Sequence, residues 1–394
     1  MSKIIQKGNL PSVVEIPTSK SYANRALILG ALKPQSVMIE NISEADDVKF
    51  LIAGFEKIGL ICHKSTSSVE ITNQFPSCEN TEECTIEIGE GGTTARFLAC
   101  MLLLGKSKYH LILGERLKAR PWSEFIKIAK SLGAKVELND GTLSLQGPIA
   151  IPEVLEIDCS NTTQFASGFQ LVLGLKRTKV VPINLKTSQS YWKMSQEVIE
   201  SFQKERVYSV PLDWSSASYA MAFAALRHEI FFPKLFRDDS QADSKFLDLL
   251  SQFGCVKEED NGLRVKQIQD KNSDIVFDVS DCLDLVPTLG FFLSHIDGTH
   301  KLINVDNLIH KESNRVDEVI SVLKKFGFEA YYESNSIIIE GTNLIKSLNL
   351  NLELPDDHRI VMMAALFMRY HEGGELSPES AVNKSYPNFF KLFK

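Results

Sequence analysis

The chain has 394 residues, 44% of them hydrophobic and 24% charged, with a formal net charge of −7. That is long enough for two full cores and too apolar for disorder, and the acidic total disfavours nucleic-acid or polybasic membrane binding while leaving room for a local basic cleft. The first residues carry no apolar signal segment, apolar runs such as 97–104 fall short of the ~20 residues of a membrane span, and seven cysteines show no CxxC or metal spacing, so a cytoplasmic address, reduced thiols and no metal are expected.

The first predicted helix lies in PTSKSYANRALILGAL, from Pro17 to Leu32. Lys20 and Ser21 sit near its start, where free backbone N–H groups favour an anion, and Arg25 is four residues on from Ser21. Serine and threonine are also the commonest helix caps, so capping weighs equally with an anion site. Next come GEGGTTAR, where Gly91 and Gly92 let a backbone approach a ligand and Arg96 falls in the first turn. The stretch lacks the GK[ST] of a Walker loop and the third glycine of a dinucleotide fingerprint. In GERLKARPWSEF, Arg120 precedes Pro121, read as the first position of a helix. DCSNTTQ offers Thr162, Thr163 and Gln164 at a further helix start, and Ser188 and Tyr191 repeat the pattern.

In the C-terminal half Asp213 opens DWSSASY. Asp284 stands ahead of Pro287, where N-capping is the simplest reading. NLIHKESNR places Asn307, Lys311, Glu312 and Arg315 together, with Lys311 and Arg315 spaced as one helix face. Asp357, His358 and Arg359 open another apolar helix, and Lys384 lies near the end. Each of these has an ordinary explanation. Together they put Arg and Lys at helix entrances throughout an acidic chain, as a cleft for multiply anionic small ligands requires.

A repeat runs through the same sequence. Four segments read as helix, glycine, β-hairpin, with Gly59, Gly133, Gly254 and Gly327 at the helix exits. Gly59 to Gly133 is 74 residues and Gly254 to Gly327 is 73, but Gly133 to Gly254 is 121. One copy therefore lacks about one hairpin. Its helix, over 195–202, meets Gln203 where a glycine belongs, and KERVYSVP follows directly.

PTSKSYANRALILGAL, GEGGTTAR, ERLKARP, NTTQF, SQSY, DWSSASY, DLVPTL, HKESNR, DDHR and NKSYPNFF occur in the order found in the EPSP synthase family, which the chain resembles over its whole length. The resemblance implies an α/β fold, the two-domain enolpyruvyl transferase fold or inverse α/β barrel built from βαβαββ units, here with one hairpin missing. It implies a first domain over 20–211, a second from 1–19 plus 212–394, and an active site in the cleft between them. The reaction implied is transfer of the enolpyruvyl group of phosphoenolpyruvate to the 5-hydroxyl of shikimate 3-phosphate, without cofactor or metal, by a monomer. By the same carry-over Lys20, Ser21, Arg25, Thr162, Thr163, Gln164, Ser188, Tyr191, Asp284, Asn307 and Lys311 hold shikimate 3-phosphate. Lys20, Gly92, Arg120, Gln164, Arg315, Arg359 and Lys384 hold phosphoenolpyruvate. Asp284 and Glu312 form the acid/base pair, with Lys20 reaching both substrates.

Three features depart from the family pattern. Glu90 replaces an asparagine at the mouth of the anion site, where it is expected to weaken substrate affinity unless it pairs with Arg96 or points away. Thr162-Thr163 replaces two serines, and the missing hairpin is expected to leave a shortened, exposed sheet edge. Two other readings stay open: an enolpyruvyl transferase for another alcohol, and an impaired homologue acting as a binding protein.

Overall fold

The computed structural model describes residues 1–342 and 350–394. The chain divides into two compact units, Thr18–Pro211 and Met1–Pro17 with Leu212–Lys394, each around its own apolar core. Three helices buried on nearly all sides pack together at the centre of each unit. In the first they are Lys20–Leu32, Gly92–Leu102 and Gln164–Gly174; in the second, Trp214–Arg227, Val286–Leu293 and His358–Tyr370. Apolar and small residues all round suit such helices to a protein interior, and their polar residues collect at the N-terminal ends.

Small sheets surround the helices. In the first unit Glu83–Glu87 pairs in parallel with Lys108–Ile112, which pairs with the hairpin Lys135–Asn139/Thr142–Gln146. Val207–Ser209 lies parallel to Val37–Glu40, which carries the hairpin Cys62–Lys64/Ser68–Ile71. The second unit repeats this order with Val276–Asp278, Gly298–Ile303 and the hairpin Glu329–Glu333/Ser336–Gly341. There, too, Ile230–Pro233 joins the hairpin Val256–Glu259/Gly262–Val265, and Leu350–Glu353, Gly374–Ser377 and Lys3–Ile5 form a three-stranded sheet.

The glycine signal has a local cause. Gly59, Gly133, Gly254 and Gly327 have φ of +94°, +96°, +62° and +77°, the left-handed region that a Cβ disfavours. At three of them the chain closes as a Schellman turn, with Leu60 N–H donating to Phe55, Ala134 to Ala129 and Phe328 to Leu323.

A further copy, between those of Gly133 and Gly254, is cut short. Val154–Asp158 pairs in parallel with Lys179–Ile183 and the sheet stops at these two strands. After the helix Gln189–Lys204 the chain extends at Glu205 and runs straight into Val207–Ser209. Lys179 N–H donates to Glu153 and Ile183 accepts from Cys159, so the odd-numbered residues face the paired strand and Pro182 faces the open edge. Lys108 N–H donates to Glu82 in the same way, which puts Leu111 at the matching register. Leu111 lies opposite Leu143 of its hairpin; Pro182 has no N–H with which to begin such a ladder.

Candidate active site

Two polar clusters sit at the N-terminal ends of the central helices, one in each unit. In the first, hydroxyl-bearing residues precede three helices at Ser19, Thr163 and Ser188, and none of these side chains caps its helix. Asp213, Asn314 and Asp357 do cap theirs. The capping account therefore fails for these three, although Thr162 Oγ1 does accept the N–H of Gln164, the first residue of its helix, at 3.3 Å. Ser188 is further held at φ +58°, ψ +34°, a conformation costing a non-glycine residue about 1 kcal/mol or more and typical of functional sites.

Lys20 Nζ lies 2.9 Å from Asp47 Oδ2. Arg25 is buried, donating from Nε to Ser195 Oγ and from its two terminal nitrogens to the carbonyls of Ser21 and Tyr191, each at 2.9 Å. It also lies over the rings of Phe97 and Tyr191. Burial lowers its pKa to about 10. Two of these N–H bonds tie Arg25 to the helix Gln189–Lys204 and the third to its own helix, leaving a second N–H on each terminal nitrogen. Ser188 and Tyr191 are at the start of that helix although the hairpin beyond its far end is lost.

Arg96, 4% exposed, joins three loops. Its NH1 donates to Gln164 Oε1 at 2.5 Å and to Thr162 Oγ1 at 3.2 Å, and its NH2 donates to the Pro121 carbonyl at 3.2 Å. Gln164 is turned by this contact, and its Nε2 donates to Thr93 Oγ1 at 3.1 Å. Burial, then the neighbouring Arg120 cation, lowers the Arg96 pKa to about 9. A Cβ on Gly92 would strike Arg120 NH1 and crowd Gln164 Oε1, so Gly92, Arg120 and Gln164 converge. Among the described residues neither guanidinium meets a carboxylate, and the Nε of each is buried without a hydrogen-bond partner. Neighbouring cations with no counter-ion make an anion site.

In the second unit Asp284 is the hub. Its carboxylate accepts from Arg315 NH1 at 2.8 Å and Arg359 NH2 at 2.9 Å, with Lys311 Nζ at 3.7 Å. Burial opposes its ionisation, but Arg359, Lys311 and Arg315 outweigh burial and hold the carboxyl well below its ordinary range. Glu312 pairs with Lys384 at 3.1 Å and accepts from His358 Nδ1 at 2.9 Å. Burial opposes its ionisation as well, and Lys384, His358 and Arg315 again prevail. Asp357, fully buried, accepts from Arg315 Nε at 2.8 Å and NH2 at 3.1 Å. Arg359 also donates to Ser215 Oγ and to the Asp284 carbonyl. Glu312, Asp357 and His358 bring possible metal-ligand atoms within 4.8 Å of one another. Arg315 and Lys384 already engage those carboxylates.

Several expectations need correction. Asp284 caps no helix; it lies in the 3₁₀ turn Leu283–Leu285 and binds cations instead. Lys311 and Arg315 do not share a helix face, because the helix begins at Arg315 behind its Asn314 cap; Lys311 follows the 3₁₀ turn Asp306–His310, which holds the half-buried Asn307. They meet through Asp284. Pro121 is not a first helical residue, since the next helix starts at Ser123. Glu90 pairs with the backbone N–H of Leu117 at 3.2 Å and not with Arg96. Sequence reasoning also missed Asp47, Ser195, Ser215, Asp243 and the role of His358. Asp243, buried, has a pKa raised to about 7 by burial and by Asp284.

The cation clusters, one of them built around the ionised Asp284 and Glu312, suit small anionic ligands. Residues 4–205 and 183–393 match the model of the family described as EPSP synthase (3-phosphoshikimate 1-carboxyvinyltransferase). A relative of that enzyme name from Pyrococcus abyssi is 30% identical, covering 96% of this chain and 93% of its own. One from Clostridium botulinum is 28% identical, covering 99% and 96%. The solved structure of EPSP synthase from Acinetobacter baumannii superposes with a TM-score of 0.76 at 20% identity, over 99% of this chain and 97% of that one. The chain belongs to the EPSP synthase family. Among its described residues no helix is long and apolar enough to cross a membrane.

Proposed function

We propose that this chain transfers the carboxyvinyl group of phosphoenolpyruvate to the 5-hydroxyl of shikimate 3-phosphate, releasing phosphate. The observation that carries the reading is the pair Asp284 and Glu312, two carboxylates kept ionised by cations suited to a phosphate and a carboxylate. Lys20, Ser21, Arg25, Thr162, Thr163, Gln164, Ser188, Tyr191, Asp284, Asn307 and Lys311 are assigned to the sugar phosphate. Gly92, Arg120, Gln164, Arg315, Arg359 and Lys384, with Lys20, are assigned to phosphoenolpyruvate.

The reaction needs a proton on the methylene carbon of phosphoenolpyruvate and loss of one from the attacking hydroxyl. The tetrahedral adduct formed by oxygen attack at C2 then expels phosphate and loses the methyl proton again. Asp284 takes the hydroxyl proton, for which an ionised carboxylate is ready. Glu312 handles the methylene proton. Anionic substrate draws on Lys384 and Arg315, so the charges that keep Glu312 ionised are shared and its proton affinity rises on binding. The clustered cations stabilise the departing phosphate.

Phosphate release from phosphoenolpyruvate with shikimate 3-phosphate tests the reading, run beside UDP-N-acetylglucosamine as a rival acceptor. Release with shikimate 3-phosphate alone, lost on Asp284→Asn or Glu312→Gln by about 100-fold or more in kcat, is the expected result. Silence with both acceptors would leave a binding protein.

A further inference from the structure

We infer that Glu90 is a positioning residue for Arg120, acting through the short helix Glu115–Ala119. Glu90 Oε2 accepts the N–H of Leu117 at 3.2 Å, in the first turn of that helix. The carboxylate lies where a Cβ on Gly114 would be, so any larger residue at 114 would expel it. Gly114 N–H in turn donates to the Gly89 carbonyl at 3.1 Å.

Leu117 passes the constraint on. Its carbonyl accepts from Arg120 N–H at 3.3 Å and from Trp122 Nε1 at 3.1 Å. One residue thus receives Glu90 on its N–H side and fixes Arg120 and Trp122 on its C=O side. Two residues beyond Glu90, Gly92 meets the guanidinium of Arg120. The segment 89–92 therefore grips the helix at its start and the arginine at its end. Hydrogen bonds in series strengthen one another.

The functional arm of the inference rests on the assignment of Arg120 to phosphoenolpyruvate; the structural arm does not. The test uses full-length Glu90→Ala and Glu90→Gln proteins with two readouts: amide hydrogen exchange at Leu117 without ligand, and steady-state kinetics. In Glu90→Ala, Leu117 exchange should rise about fivefold to tenfold, and KM for phosphoenolpyruvate should rise by a similar factor while kcat and KM for shikimate 3-phosphate stay within about twofold. Glu90→Gln keeps an acceptor oxygen and should restore both readouts. A fall in KM in either variant would mean that Glu90 acts by charge repulsion and overturns the inference, as would unchanged Leu117 exchange in Glu90→Ala. Faster exchange in Glu90→Ala combined with silent kinetics in the unsubstituted protein would count against the proposed reaction and leave the positioning role standing.

Discussion

Lys20 and Asp47 form a largely buried ion pair, Nζ to Oδ2 at 2.9 Å, at the mouth of the Lys20–Leu32 helix. Asp47 lies against Gly91 on its other side, so the pair links the two glycine- and hydroxyl-rich segments of the first unit. An anion that takes Lys20 must share it with Asp47.

Lys20→Ala should remove a group assigned to both substrates and also leave a buried carboxylate alone. The expected loss is about 100-fold or more in kcat/KM, with about 3 kcal/mol of stability. Adding Asp47→Asn should restore most of the stability and none of the turnover. Urea denaturation and kinetics on the single and double variants separate the two effects; near-normal turnover in Lys20→Ala would remove Lys20 from the substrate assignment.

Gly92→Ala places a methyl where Arg120 NH1 now lies. Arg120 should be displaced, raising KM for phosphoenolpyruvate by about tenfold, a loss of about 1.4 kcal/mol, with KM for shikimate 3-phosphate little changed. Initial rates against each substrate decide the matter.

Asp243 should set a pH dependence that the two reactive carboxylates do not. Asp284 and Glu312 are held well below the ordinary carboxylate range, so they add no limb to kcat/KM near neutrality. Asp243 titrates near 7 because burial and the Asp284 charge oppose its ionisation. Above that pH it adds a negative charge beside the cations, and kcat/KM for the anionic substrates should fall. Asp243→Asn should flatten that fall, as a kcat/KM profile from pH 5.5 to 8.5 would record.

His295 and His371 meet Nε2 to Nε2 at 3.0 Å inside an aromatic cage. His295 Nδ1 donates to the Phe291 carbonyl at 2.7 Å, so its Nε2 must accept from His371. Burial, and then His371, hold the His295 pKa well below 6.5. Below pH 6.5 the unfolded chain takes up a proton that the folded one refuses, so stability is complete above 6.5 and declines as the pH falls. This group contributes up to about 1.4 kcal/mol per pH unit, measurable as a falling urea midpoint between pH 7.5 and 5.5. His295→Leu should have a shallower decline.

Local signals carried much of this in the sequence. The glycines at 59, 133, 254 and 327 were readable because a left-handed helix exit leaves few other choices, and the uneven spacing located the short copy. Lys20, Arg120 and Asp284 were readable as polar residues ahead of helices, and Gly92 as a glycine that allows close approach. Asp47, Ser215 and Asp243 were not, because each acts on a partner distant in sequence and a single buried carboxylate or hydroxyl carries no periodicity. Lys311 to Arg315 misled for the opposite reason: the i, i+4 spacing is a helix signal, and the Asn314 cap followed by Asp317 overrides it. The hydroxyls at Ser19, Thr163 and Ser188 could be separated from caps only by seeing where the side chains go.

Pro182 makes the shortened sheet hard to lengthen again. Inserting a hairpin after Lys204 would bring a new strand to an edge that cannot donate at Pro182, so the graft should pair incompletely until Pro182 is also changed, for instance to the leucine found at 111. The same edge gives a second molecule no continuous template, and concentrated protein should therefore not assemble through it. Reversing the shortening thus takes two coordinated changes, neither of which improves the sheet alone.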